Sequence, residues 1–178
     1  MGETWKIYHC NLRGFDSKQF SLKSILETIK PNVVTLGETL YKNNKKMIIE
    51  GYTTYNRNIQ NEIGRGVSTS VSQWDSNFAL KIKDGPQNDE YVITRHSQFD
   101  PPISIVNVYG EQECRTKTKD VEERWFRIAS EVMKIENQGE NVILIGDLNK
   151  HVGDLVKDNH EKVSYGGKLI RNFLASCC

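Results

Sequence analysis

The segment Val142-Ile143-Leu144-Ile145-Gly146-Asp147-Leu148-Asn149 constrains this chain more than any other, because an apolar run ends in an acid and an amide two residues apart. Four consecutive large aliphatics read as a strand covered on both sides. Gly146 then lets the backbone leave the sheet edge with no Cβ in the way. In an extended chain, alternation puts the Asp147 and Asn149 side chains on one face. An Asx turn capping the next element would account for one such residue, but gives no reason for two with matched direction.

Three other stretches repeat the design. Val33-Val34-Thr35-Leu36-Gly37 ends in Glu38, Asn11-Leu12-Arg13-Gly14 follows the strand pattern Trp5–Cys10, and Ile103–Val108 delivers Tyr109 to its end. An asparagine, a glutamate, a tyrosine and an Asp-x-Asn at four strand ends make up a kit for holding a hard divalent cation beside a phosphate. Carboxylate and amide oxygens suit Mg²⁺, which keeps several waters and needs only one or two protein carboxylates. Glu38 is the main candidate ligand.

On these motifs the chain resembles the endonuclease/exonuclease/phosphatase superfamily, which includes deoxyribonuclease I and the apurinic/apyrimidinic endonucleases. Asn-Leu-Arg-Gly near the start and Gly-Asp-Leu-Asn-Lys-His-Val-Gly near the end look most like the endonuclease domain of non-LTR (LINE-type) retrotransposons. The resemblance runs from about Trp5 to Leu174. It implies an α/β fold of two packed mixed β-sheets flanked by helices, a four-layer α/β/β/α sandwich, and Mg²⁺-dependent (or Mn²⁺-dependent) nicking of DNA. It further implies that Asn11, Glu38, Asp147 and Asn149 form the metal site, with the two asparagines orienting metal and phosphate. Asp147 would orient or activate the attacking water, and Tyr109 would hydrogen-bond the phosphate or the developing charge. Arg13 could grip a phosphate bidentately. Lys42, Lys45 and Lys46 after Glu38, and Arg115, Lys117 and Lys119 after Tyr109, would place two basic loops where a nucleic-acid backbone can be tracked, although a solvated charged loop explains them as well.

Composition sets the outer bounds. At 178 residues and 37% hydrophobic content the chain fits a single domain spanning 1–178 with a real core. A net charge of +1 does not announce a nucleic-acid binder, so any basic patch is local. Cys10, Cys114, Cys177 and Cys178 show neither a C-x-x-C pair nor zinc-type spacing with histidine, as expected of a reduced intracellular, nuclear or cytoplasmic protein. No apolar run is long enough for a membrane span, and the start does not read as a signal peptide. A monomer is the default expectation.

Apolar periodicity predicts strands over Trp5–Cys10, Val33–Gly37, Thr53–Arg57, Gly66–Val71, Phe78–Ile82, Tyr91–Arg95, Ile103–Tyr109 and Val142–Gly146. It predicts helices over Ser21–Ile29, Asp120–Gln138 and Lys168–Cys177. Such an order implies sheet packed on sheet with helices outside and the active face at one end of the sheets. Gly64-Arg65-Gly66 reads as a tight entry into a strand, since no helix follows to make it a phosphate cradle.

The pattern departs from the family at one point. Members carry, after the Gly-Asp-x-Asn element, further strands and a late Ser-Asp-His motif whose histidine serves the scissile phosphate. Here the histidines are His9, His96, His151 and His160, and none follows an aspartate. A sandwich incomplete at the C-terminus is therefore expected, with weakened activity, because positioned acid/base catalysis contributes about 10²–10⁴-fold. Two other readings stay open: a phosphatase acting on phosphorylated lipids or small molecules, and a non-catalytic remnant that binds nucleic acid or protein. A reverse transcriptase module in a longer protein is the partner the LINE-type resemblance implies.

Overall fold

In the computed structural model the described residues are 4–41, 47–57, 65–86, 90–110, 118–150 and 163–176. The chain divides into two compact units, one of Met1–Tyr109 with Gly139–Asp147 and one of Gly110–Gln138 with Leu148–Cys178.

The first unit holds all eight expected strands: β1 (Ile7–Asn11), β2 (Val33–Gly37), β3 (Tyr52–Arg57), β4 (Val67–Ser72), β5 (Ala79–Asp84), β6 (Glu90–His96), β7 (Ile103–Tyr109) and β8 (Asn141–Asp147). They form two four-stranded sheets in the orders β1-β2-β4-β3 and β5-β6-β7-β8. Each sheet is mixed. β1 runs parallel to β2 and β7 parallel to β8, and the other neighbours are antiparallel. The architecture is thus α/β with two packed mixed sheets, as the sequence led one to expect.

Alternation explains which side chains go where. Tyr8, Cys10, Val34 and Leu36 point to one face of the first sheet and pack with Phe15, Leu22 and Leu26 of helix α1 (Phe15–Ile29). Ile7, Val33, Val71 and Tyr55 point the other way and meet Ala79, Ile103, Ile105, Ile143 and Ile145 of the second sheet. Fully burying one such aliphatic side chain contributes roughly 1.5–3 kcal/mol, so this alternation alone dictates which faces must meet.

The layer between the sheets is not purely apolar. Asn107 is fully buried, and its Nδ2 donates to the Ser68 carbonyl at 2.7 Å and the Leu36 carbonyl at 3.4 Å, tying one sheet to the backbone of the other. Thr35, Thr69, Thr94 and His96 are buried as well. An Asn107 amide deprived of these carbonyls would cost about 1–3 kcal/mol, so its bonds disfavour a slipped alignment of the sheets.

Three sequence expectations need correction. Helix α1 begins at Phe15 rather than Ser21. Its first turn is set by tertiary contacts: Phe15 is buried, its ring stands edge-on to Tyr41 at 5.5 Å, and its amide donates to the Thr39 carbonyl at 2.8 Å. Leu22 and Leu26 of this helix are buried, while Ile25 and Ile29, at the same helical spacing, are exposed. Strand β8 is half-buried after Asn141 rather than covered on both sides, because it closes its sheet and has no strand on its outer edge among the described residues. It also continues through Asp147, so the chain does not leave the sheet at Gly146.

The second unit contains α2 (Thr118–Glu136) and α3 (Tyr165–Ser176). Val121, Trp125, Ile128, Val132 and Ile135 are buried along α2, as their four-three spacing requires. Helix α3 starts three residues before the expected Lys168, since Ser164 caps it: its hydroxyl accepts from the Gly167 amide at 3.1 Å and its carbonyl from Lys168 at 3.0 Å. The paired glycines Gly166 and Gly167 mask that start in the sequence. No helix among the described residues is long and apolar enough to cross a membrane.

Candidate active site

Two parallel strand pairs end together, and this places the four side chains of the first unit. Asn11 pairs with Gly37 at the end of β1 and β2, and Tyr109 pairs with Asp147 at the end of β7 and β8. Glu38 is the next residue after β2.

The side chains form two hydrogen-bonded pairs across the sheets. The Tyr109 hydroxyl donates to Glu38 Oε1 at 3.0 Å. The Asn11 amide donates through Nδ2 to Asp147 Oδ2 at 2.8 Å, while its Oδ1 accepts from the Arg13 backbone amide at 3.3 Å. Both ends of the Asn11 amide are therefore committed, which fixes its orientation. The Tyr109 phenol is pushed up to about 12, chiefly by burial and then by its bond to Glu38, so it stays a proton donor throughout the physiological range. Asp147 also raises that phenol, so the two pairs sense each other.

Backbone strain collects at this end of the sheets. Glu38 has φ of 47°, Leu40 52° and Arg13 53°, in the left-handed region that non-glycine residues seldom adopt. Such residues persist only where their surroundings over-determine them, and they cluster at functional sites. Here the locks are visible. On one side Leu12, Gly14 and Phe15 amides donate to the carbonyls of Gly37, Glu38 and Thr39 at 2.8–2.9 Å. On the other, the Thr39 and Leu40 amides donate to the carbonyls of Gly66 and Arg65 at 3.1 and 2.9 Å. The Arg65–Gly66 segment is itself held by Glu90, whose Oε1 accepts from both amides. Glu38 thus sits in a loop clamped from two directions.

Sequence reading missed His9 and the clamp around Glu38. His9 lies one pleat behind Asn11 on the same face of β1, with Nδ1 3.0 Å from Thr35 Oγ1. Burial lowers its pKa, opposed by the charge of Asp147. Counting back two from Asn11 would have found it. The clamp by Arg65, Gly66 and Glu90 carries no local signal, because it is made between loops far apart in sequence.

Asn149 belongs to the second unit, where its Nδ2 donates to the Gly110 carbonyl at 2.7 Å. Its φ of 48° breaks the extended backbone that the alternation argument assumed, so strand geometry sets the direction of Asp147 but not that of Asn149. Arg13 is exposed. Lys42, Lys45, Lys46, Arg115 and Lys117 lie outside the described residues, as do His151 and His160. Lys119 is exposed and paired with Glu123 at 3.7 Å.

The donor set fits a hard cation. The Glu38 carboxylate uses Oε1 for Tyr109 and makes no other hydrogen bond among the described residues, which leaves Oε2 for a ligand. No three His, Cys, Asp or Glu among the described residues converge into a multidentate cage. Carboxylate and amide oxygens are the donors that Mg²⁺ takes, whereas zinc favours nitrogen and sulfur. A cavity of about 760 Å³ elsewhere in the first unit, between α1 and the segments around Ile49 and Trp74, contains none of these four residues.

Comparison with known proteins bears on the architecture. No protein-family model and no curated protein sequence matches the chain. Among solved structures, the AP endonuclease LMAP from Leishmania major superposes with a TM-score of 0.73 at 15% identity over 96% of this chain. The 3′ phosphatase NExo from Neisseria bound to a product DNA hairpin gives 0.70 at 18% identity over 97%. The fold is that of the deoxyribonuclease I-like superfamily. The endonuclease domain of TRAS1, a telomere-specific non-LTR retrotransposon, shares it with a TM-score of 0.65 at 15% identity over 97% of this chain. The chain spans 66%, 71% and 71% of those three proteins. Within this DNase I-like fold the two side-chain pairs lie at the carboxyl ends of β1, β7 and β8, with Glu38 just past β2, where open α/β sheets present ligand-binding residues.

Proposed function

We propose that the chain is a divalent-metal-dependent phosphodiesterase acting on DNA, an endonuclease of the LINE type. The observation that carries this reading is the joining of Glu38–Tyr109 and Asn11–Asp147 at one end of two packed sheets, in a fold shared with nucleases. Glu38 would hold Mg²⁺ or Mn²⁺, and Tyr109 keeps that carboxylate turned toward the site. The cation supplies charge neutralisation at the phosphate oxygens. Asp147, steadied by Asn11, orients the attacking water. Tyr109 has one proton and donates it to Glu38, so its role is to aim that carboxylate rather than to contact phosphate. By resemblance to the family, Asn149 is also assigned to the phosphate. The polymerase of a LINE-type element would use the nicked strand as primer.

The test is nicking of supercoiled plasmid in Mg²⁺ by the wild-type chain, with EDTA as blank, beside Glu38→Ala and Asp147→Ala. Loss of nicking in both variants is expected. Release of phosphate from a 3′-phosphorylated DNA end without nicking would move the reading to a phosphatase, as described for the Neisseria neighbour. Folded wild type without either activity would refute hydrolysis by this chain.

A further inference from the structure

We infer that Arg65 is a substrate-contacting residue of this site, whose guanidinium binds the non-bridging oxygens of a DNA phosphate beside the Glu38–Tyr109 pair. The inference rests on the phosphodiesterase reading above and names the cation that holds its substrate.

The backbone of Arg65 is fixed on both sides. Its amide donates to Glu90 Oε1 and its carbonyl accepts from the Leu40 amide at 2.9 Å, two residues beyond Glu38. Glu90 in turn pairs with Tyr109 across β6 and β7. The Cα of Arg65 is therefore bracketed between the loop that carries Glu38 and the strand end that carries Tyr109. Its side chain is half-exposed and makes no hydrogen bond or ion pair among the described residues. Glu90, the acid that holds its backbone, spends Oε1 on the amides of Arg65 and Gly66 rather than on the guanidinium. The positive charge nonetheless reaches the site, where it pulls the Tyr109 phenol down against burial and Glu38.

An anion approaching Glu38 and Asp147 meets two carboxylates. One divalent cation offsets them, and a phosphodiester adds a further negative charge. A guanidinium there supplies the missing positive charge and a planar fork of donors matched to phosphate oxygens. A side chain without an internal partner loses no ion pair when it takes one up.

The experiment measures binding of a 20-base-pair DNA duplex by fluorescence anisotropy between 50 and 200 mM NaCl, together with plasmid nicking, for wild type, Arg65→Gln, Arg65→Lys and Glu38→Ala. Removing one phosphate contact lowers the slope of log K against log salt by about 0.9. Arg65→Gln is expected to show that drop and to raise the KM for nicking. Arg65→Lys should recover the slope but not the full affinity, since it keeps the charge and loses the fork. Glu38→Ala should abolish nicking and leave the slope unchanged. Thermal melting controls for folding, and because the anchoring bonds are made by the Arg65 backbone, both Arg65 variants should melt with wild type. Wild-type nicking with an unaltered slope and KM in Arg65→Gln overturns the Arg65 assignment alone. A folded wild type that neither binds nor nicks overturns it together with the phosphodiesterase reading.

Discussion

Gly146→Ala should damage the fold and the site in one step. Gly146 lies within β8 opposite Val108, with φ of 147°. A Cβ built there would stand 1.8 Å from the Val108 carbonyl oxygen, 2.8 Å from its carbon and 2.9 Å from its nitrogen. Close carbon–oxygen contacts between strands sit at about 3.3–3.6 Å, so the two backbones would have to part by about 1.5 Å. Neither side can rotate away, because both are main chain. Parting the strands by that amount breaks about two ladder hydrogen bonds, at about 1 kcal/mol each. The positive φ adds roughly 1–2 kcal/mol once a Cβ is present. The expected loss is about 3–4 kcal/mol, out of the 5–15 kcal/mol that a domain typically has. Asp147, the next residue, would move away from Asn11 and lose its 2.8 Å bond. Urea denaturation of Gly146→Ala beside Gly51→Ala makes the measurement decisive: Gly51 also has a positive φ, of 79°, yet a Cβ there meets nothing within 4 Å. Gly51→Ala isolates the conformational cost, and the excess in Gly146→Ala reports the clash. Equal losses in the two variants would refute the argument that close approach of β7 fixes a glycine here.

Two further outcomes follow from protonation and from the Tyr109 bond. His96 is buried, with its pKa pulled down to about 4 by burial against the opposing charge of Asp75, so the unfolded chain, titrating near 6.5, takes up the proton first. Stability is therefore held above pH 6.5 and lost as pH falls toward 4, by about 2 kcal/mol between pH 7 and pH 5; a denaturation series should show this limb flattened in His96→Gln, and an unchanged limb would assign it to other groups. Tyr109→Phe removes the donor that aims Glu38, and should weaken Mn²⁺ binding by calorimetry about 10- to 100-fold, as loss of an outer-shell partner does; unchanged affinity would mean that Glu38 is oriented by its clamped backbone alone.

The parts of this molecule that sequence made legible are those governed by short-range repetition. All eight strands declared themselves through β-branched runs or alternation, and the residues at four of their ends were read as a set because each followed an apolar run directly. The helix starts were less legible, each for a physical reason. Phe15 joins α1 through Thr39 and Tyr41, partners that no local window contains. Ser164 caps α3 ahead of two glycines whose intrinsic preference argues against a helix. Asn149 shows the limit of alternation itself, since period-two reasoning holds only while the backbone stays extended, and at φ of 48° it has not.

The clamp around Glu38 was illegible for a deeper reason. Its bonds are made by backbone amides and carbonyls, which every residue carries, so nothing in the identities of Thr39, Leu40 or Gly66 marks them as partners. Only Glu90 brings a side chain, and a glutamate at the start of a strand is unremarkable as a letter. Yet this clamp holds Glu38 in a conformation that the residue would otherwise avoid, and it sets Arg65 beside it. The sequence thus displays the groups that would do the chemistry, while the geometry that makes them a site is encoded in how loops close. A search for active chains of this kind should therefore weigh whether the Glu38 loop can be clamped, and not only whether the acids are present. Glu90→Gln tests that directly: it keeps the acceptor oxygen and should keep the clamp, whereas Glu90→Ala should release Arg65, Gly66 and the Glu38 loop together.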